Sequence, residues 1–319
     1  MTLPLGRNIR ELSSDELVSY FSHIGEPKFR AKQVYEWLWQ KHARSFADMT
    51  NLSKELRQQL GGTFSLPALM VDVTQESTDG TLKSRFKTYD GHWVEGVLIP
   101  TEERRTACVS SQIGCSLSCK FCATGYLDRQ RNLTFDEIYD ETAWINQQAE
   151  QRYGKKLTNI VFMGMGEPLL NYTQVLKAIE RITAPDGLAM SPRRITVSTA
   201  GIAKSIRRLG DDGVRFKLAL SLHAANDRKR GEIMPINESN NLKSLAEALN
   251  DFYRKTKNEI TLEYILFKGF NDSLEDADEL IKFYRQIPAD LVNIIEYNPI
   301  DAVKFSAPDE ATRENFLKH

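Results

Sequence analysis

No cysteine precedes Cys108 and none follows Cys122; the four in the chain, Cys108, Cys115, Cys119 and Cys122, share one short stretch. A secreted disulfide framework would spread its cysteines, so this clustering points to metal or redox chemistry in a reducing cytoplasm. No run of about 18 apolar residues occurs, so no membrane span is expected. Met1 to Glu11 lack an apolar stretch of the signal-peptide kind, and no such peptide is expected. Net charge is only −1, so attraction to a polyanion would have to come from local patches. Repeats and low-complexity linkers are absent too. What is present is 319 residues, 41% hydrophobic and 27% charged, enough for one large α/β domain and a small one.

Residues 1–64 read as a small helical module. Ser13-Ser14-Asp15-Glu16 is a capping box. Ala31, Val34 and Leu38 share a helix face, and Leu52, Leu56 and Leu60 mark a third helix. Lys28, Arg30, Lys32, Lys41 and Arg44 make the module basic in places. They fit either a solvated surface or a grip on a nucleic-acid backbone. Residues 65–100 read as a β-meander, with Asp79-Gly80 and Asp90-Gly91 as hairpin turns. In its last strand, alternation puts Trp93, Glu95, Val97 and Ile99 on one face. If that face is buried, desolvation raises the Glu95 pKa and makes it a proton acceptor near neutrality. If it is exposed, Glu95 is a solvated glutamate.

From residue 101 to 319 a βα alternation runs through six units. Thr106 to Gln112 reads as the first strand, and Thr134-Phe135-Asp136-Glu137 caps the first helix. Strands are expected at Leu157–Met163, Arg194–Thr199, Phe216–Leu222, Thr261–Leu266 and Val292–Tyr297. The fold class is α/β, a partial parallel (β/α)6 barrel with its site at the C-terminal strand ends. Those ends read Gly164-Met165-Gly166-Glu167-Pro168, Ser198-Thr199-Ala200-Gly201, Ser221-Leu222-His223-Ala224 and Asn298-Pro299. Glycines there let a ligand approach the backbone, and Glu167 suits an ammonium group. Arg104, Arg105, Arg129, Arg131, Arg193, Arg194, Arg228, Lys229 and Arg230 are expected to flank the same mouth, either as a solvated face or, where several pairs converge, as a site suited to a phosphate backbone.

The run Gly114 to Ala123 spaces three cysteines as C-x3-C-x2-C. Thiolates commonly hold iron–sulfur clusters. Three thiolates on a [4Fe–4S] cube leave one iron open to bind a small molecule and pass it an electron. A zinc site with Cys108 as fourth thiolate is the alternative.

With Phe121 before its last cysteine, this run resembles that of the radical S-adenosylmethionine (SAM) enzymes. There the open iron chelates SAM and an electron cleaves it to methionine and a 5′-deoxyadenosyl radical. The resemblance implies a radical-SAM barrel, with Cys115, Cys119 and Cys122 on the cluster and Gly166, Glu167, Ser198, Ser221, Leu222, His223 and Asn298 contacting SAM. Val94-Glu95, Cys108-Val109-Ser110-Ser111-Gln112-Ile113-Gly114-Cys115, Met163 to Leu169 and Ser221 to Ala224 further resemble the RlmN/Cfr family. These enzymes methylate an adenine of 23S ribosomal RNA, at C2 in the RlmN branch, some of whose members also modify tRNA, and at C8 in the Cfr branch. The more widespread RlmN branch is expected.

C2 of adenine is not a nucleophile, so polar methyl transfer cannot reach it. In the family one SAM methylates a cysteine, and a second generates a radical that activates the S-methyl group for addition to the base. The resemblance makes Glu95 the group that removes the C2 proton. It makes Cys108 the thiol that attacks the linking sulfur, forming a disulfide and releasing methylated RNA. The base must be unstacked to react. The methyl-carrying cysteine is expected beyond His319, on a longer chain of which this is a truncated form. A flavodoxin-type electron donor, a cytoplasmic location and no membrane partner are further implied. A non-methylating radical-SAM enzyme, such as an activase, and a zinc-stapled RNA-binding module are the other readings.

Overall fold

The computed structural model describes residues 6–319; Met1 to Leu5, on which the signal-peptide reading partly rests, lie outside the described residues. The chain forms two compact units. One holds the chain up to Ala107 together with Thr134–Leu157 and Leu176–Met190; the other holds Cys108–Leu133, Thr158–Val175 and Ser191–His319.

The first unit begins with β1 (Arg7–Asn8), α1 (Ser14–His23), α2 (Phe29–Trp39), α3 (Lys54–Thr63) and β2 (Phe64–Ser65). Ser13 and Glu16 cap α1 reciprocally. Helix α2 buries Ala31, Val34, Leu38 and Trp39. Helix α3 buries Leu56 and Leu60, while Leu52 is buried just ahead of the Ser53 cap. The meander follows as β3 (Met70–Glu76), β4 (Leu82–Lys87) and β5 (Trp93–Pro100), all antiparallel. Its turns use Gly80 at φ 83° and Gly91 at φ 85°, a backbone region that favours glycine.

Helix α4 (Phe135–Tyr153) belongs to the same unit. Its buried face carries the expected Ile138, Thr142, Ile145 and Ala149, but also Asp136, Asp140 and Glu141. Asp140 is satisfied by the buried Arg10 guanidinium at 2.7 Å and the Leu69 N–H at 3.1 Å. Strand β5 meets α4 through Gly96, where a Cβ would lie 2.5 Å from Glu141 Oε1.

The face of β5 toward the core is therefore Val94, Gly96 and Leu98, all buried. Trp93, Glu95 and Ile99 lie on the opposite, solvent side. This corrects the desolvation argument for Glu95. Its side chain is 43% accessible and sits 2.8 Å from Lys83 Nζ on the neighbouring strand. The alternation is as expected, but the core takes the other half of it.

Strand β6 (Arg105–Cys108) ends where the second unit begins, and β7 (Gln112–Ile113) and β8 (Arg131–Asn132) follow. The second unit is built on β9 (Asn159–Phe162), β10 (Ile195–Thr199), β11 (Lys217–Ser221), β12 (Ile260–Ile265) and β13 (Leu291–Ile295). These pair in parallel in that order. The Val109 N–H bonds Val161 O, so the chain leaving β6 runs beside β9. The second unit thus carries five parallel strands in the order β13-β12-β11-β10-β9, the sheet of a partial parallel barrel. Helices α5 (Tyr172–Thr183), α6 (Ala203–Asp211), α7 (Asp227–Ile233), α8 (Leu242–Thr256), α9 (Leu274–Tyr284) and α10 (Glu310–Lys318) follow their strands. Central strands read as continuous apolar runs, such as the buried Leu218-Ala219-Leu220, because both faces are covered.

Candidate functional site

Cys115, Cys119 and Cys122 lie on the loop between β7 and β8. The two short strands pair Gln112 with Asn132 and Ile113 with Arg131, closing the loop at its base. Gly114, at φ 76°, lets the Asp128 carbonyl pass where a Cβ would be 2.3 Å away. Gly125 does the same for Cys119 O, 2.7 Å from its Cβ position. Phe121 packs edge-on against His223, with ring centroids 4.7 Å apart, which explains an aromatic before the last cysteine.

The three thiols open into one cavity of about 250 Å³ at the C-terminal strand ends. Gly166, Glu167, Ser198, Ser221 and His223 line the same cavity. Leu222 does not; it is fully buried in the core, and its N–H bonds Glu263 O. Asn298 is exposed and also lies off the cavity wall. Cys108, at the end of β6, is half-buried and outside the lining.

Glu167 is buried, yet both its oxygens are engaged. Oε1 accepts the Leu169 N–H at 3.0 Å and Oε2 the Ala200 N–H at 2.7 Å. Burial holds its pKa above the ordinary carboxylate value, although these N–H groups and Thr199 pull the other way. Ser198 and Ser221 hydroxyls sit 3.2 Å apart across β10 and β11. His223 adopts φ 55°, and its Nδ1 accepts the Ile265 N–H at 3.1 Å. Burial, with the Arg230 charge, lowers its pKa to about 3, so the ring is neutral with its remaining proton on Nε2.

Glu263 belongs to no motif in the sequence. It is buried on β12, lines the cavity, and its Oε1 accepts Thr261 Oγ1 and Asn293 Nδ2, each at 2.9 Å. The signal for it was Thr261 and Glu263 alternating with Leu262 and Tyr264 in a strand otherwise read as buried.

The residues fit a multi-iron cluster. Burial and the neighbouring thiols Cys122 and Cys115 push the Cys119 thiol up to about 12, and burial raises Cys115 as well. A cationic group that takes such thiols as ligands deprotonates them. Among the described residues no three His, Cys, Asp or Glu side chains converge tightly enough for one metal ion. The three thiols border one cavity at the strand ends.

The expectation for the basic residues needs correcting. Arg193 and Arg194 precede β10, at its N-terminal end, whereas the thiols lie at the C-terminal strand ends. Arg104 and Arg105 likewise stand at the N-terminal end of β6. Arg230 is fully buried, and Lys229 pairs with Asp276 at 2.6 Å. Strand polarity and burial, not sequence proximity, decide where each charge ends up. Arg129 and Arg131 do flank the cysteine loop, beside and within β8.

Known proteins agree with this architecture. Residues 7–66 match the ribosomal RNA large subunit methyltransferase N-terminal domain, and residues 109–283 match the radical SAM superfamily. A crystal structure of a radical SAM methyltransferase from Sphaerobacter thermophilus superposes with a TM-score of 0.90 at 36% identity, over 98% of this chain and 91% of that one. The fold and site thus define a radical SAM RNA methyltransferase. A probable dual-specificity RNA methyltransferase RlmN of Cytophaga hutchinsonii is 56% identical over 310 residues, 97% of this chain and 85% of that protein. The dual-specificity RNA methyltransferase RlmN of Geotalea uraniireducens is 43% identical over 311 residues, 98% of this chain and 88% of that protein. The chain belongs to the RlmN family. No helix among the described residues is long and apolar enough to cross a membrane.

Proposed function

We propose that this protein methylates C2 of an adenine in 23S ribosomal RNA, and of an adenine in tRNA, in the cytoplasm. The observation that carries the reading is the single cavity shared by Cys115, Cys119, Cys122, Glu167, Ser198, Ser221 and His223. The three cysteines would hold a [4Fe–4S] cluster. When bound, that cluster and SAM supply one-electron chemistry able to activate a methyl group for attack on an unreactive aromatic carbon.

The chain's own groups supply the polar steps. The Glu167 carboxylate accepts from the ammonium of SAM, and the Ser198 and Ser221 hydroxyls and the His223 Nε2–H offer further polar contacts. Leu222, its N–H held by Glu263 O and its O by Arg230 Nε, keeps the β11 end in place for SAM, and Asn298 extends the contacts beyond the last strand. Glu95, half-exposed and therefore accessible to a base, takes the C2 proton. Cys108, as a thiolate, attacks the sulfur of the methyl-carrying cysteine; an S–S bond forms, the bond from that sulfur to the base's methylene carbon breaks with its electron pair passing to the base, and a proton taken up there completes the methyl group. A flavodoxin-type protein is the electron donor.

The test is nucleoside mass spectrometry of ribosomal and transfer RNA from cells lacking the gene or complemented with the full reading frame. The expected result is 2-methyladenosine that appears only on complementation. Formation of 8-methyladenosine would move the protein to C8 chemistry, and no change in either would refute RNA methylation.

A further inference from the structure

Arg230 is the only cation named above that is completely buried at the site end of the barrel. Its guanidinium is shared among separate parts of the second unit. Nη2 donates to Ala200 O at 2.5 Å and Ser221 O at 3.3 Å, Nε to Leu222 O at 3.2 Å, and Nη1 to Asn237 Oδ1 at 2.8 Å. One side chain thus ties the loop leaving β10 to the loop leaving β11. The Asn237 amide itself donates to Asp227 O and Oδ1 at 3.1 and 3.0 Å, which orients the oxygen that Arg230 Nη1 donates to.

The same helix also supports the cysteine loop. The Lys120 N–H bonds Ile233 O at 2.9 Å, and Leu117, Cys119 and Phe121 pack on a cluster containing Ile233, Met234 and Ala200. Helix α7 therefore braces the thiol loop with one end and two SAM-contacting loops with Arg230.

The acceptors around the guanidinium are neutral. Burial lowers its pKa to about 10, still cationic at neutral pH, and Cys119 and then Asp227 are the groups whose negative charge favours that cation. A buried cation whose bonded acceptors are all neutral is costly unless nearby charge balances it, and here Asp227 reaches the guanidinium only through Asn237. Three thiolates on a dipositive cube leave net negative charge, which grows on reduction.

We propose that Arg230 is a positioning residue that locks the SAM-contacting strand ends to the cysteine loop and, through its fixed charge, favours the reduced cluster. This rests on the cluster-and-SAM reading above. Cluster potential depends on nearby charge and hydrogen bonding, and a planar fork can serve several carbonyls where an ammonium cannot.

The experiment uses anaerobically reconstituted protein, with SAM binding followed through its effect on the spin-resonance spectrum of the reduced cluster. Arg230→Gln is expected to move the midpoint potential to more negative values and to weaken SAM binding by about tenfold or more. Arg230→Lys is expected to keep the wild-type potential but not the SAM affinity. A Lys variant that binds SAM as the wild type does, or whose potential moves, overturns the proposal. So does a Gln variant with full iron and an unmoved potential. If Arg230→Gln fails to fold, the Lys variant decides alone. Wild-type protein that shows no cluster or no SAM effect would refute the cofactor reading instead.

Discussion

Glu167 Oε2 accepts the Ala200 N–H at 2.7 Å, so a buried carboxylate joins the loop after β9 to the loop after β10. Donors on both oxygens favour the charged carboxylate against burial, and a ligand ammonium would complete the set. An amide in its place would present N–H to N–H at one of its two backbone contacts. Glu167→Gln should therefore keep its iron but lose SAM affinity by about 100-fold. Iron analysis and SAM titration on the same sample check this, and unchanged affinity would remove Glu167 from the cofactor site.

Single Cys→Ala changes at 115, 119 and 122 should each abolish cluster assembly, because all three thiols border the one cavity. Cys108→Ala should retain full iron and sulfide, since Cys108 lies outside that lining. Parallel reconstitution with iron and sulfide counted per chain measures both. Iron loss in the Cys108 variant as complete as in the others would make it a ligand.

Strand polarity separates two pairs of arginines that look alike in the sequence. Replacing Arg129 and Arg131 with Gln should weaken RNA binding and flatten its dependence on log salt by about 1 to 2. Replacing Arg193 and Arg194, at the far end of β10, should leave that slope unchanged. Binding isotherms at several salt concentrations give the comparison, and equal effects from both pairs would refute it.

His42 reports on pH stability. Burial, followed by the Arg44 and Arg10 charges, lowers its pKa to about 4 from 6.5. The unfolded chain takes up the proton first on acidification. The stabilisation is thus complete above about 6.5 and is lost as pH falls through about 4, amounting to roughly 3 kcal/mol. Denaturant titrations of the wild type and His42→Asn should converge as pH drops across this window. Curves that stay parallel would show that His42 does not drive the acid loss.

Much of the molecule is readable without coordinates because its signals are local or periodic. The Ser13–Glu16 and Thr134–Glu137 boxes are hydrogen-bonding patterns contained in four residues, and both open the helices they announce. The βα alternation and the turns at Gly80 and Gly91 depend on neighbours a few positions away. The cysteine spacing likewise carries its own chemistry.

Other features required the tertiary structure. Alternation in β5 separates Glu95 from Val94 and Gly96, but only packing against α4 decides which set is buried, and that helix begins some forty residues later. Arg228, Lys229 and Arg230 form one basic word in the sequence. The fold exposes the first, pairs the second with Asp276 and buries the third among carbonyls of two strand ends. The sequence by itself therefore determined the element order, the parallel barrel and the three thiols, because those follow from short-range pattern. Burial and strand direction decided which charges meet solvent and which brace the site, because desolvation depends on the atoms that surround a group and these come from distant parts of the chain.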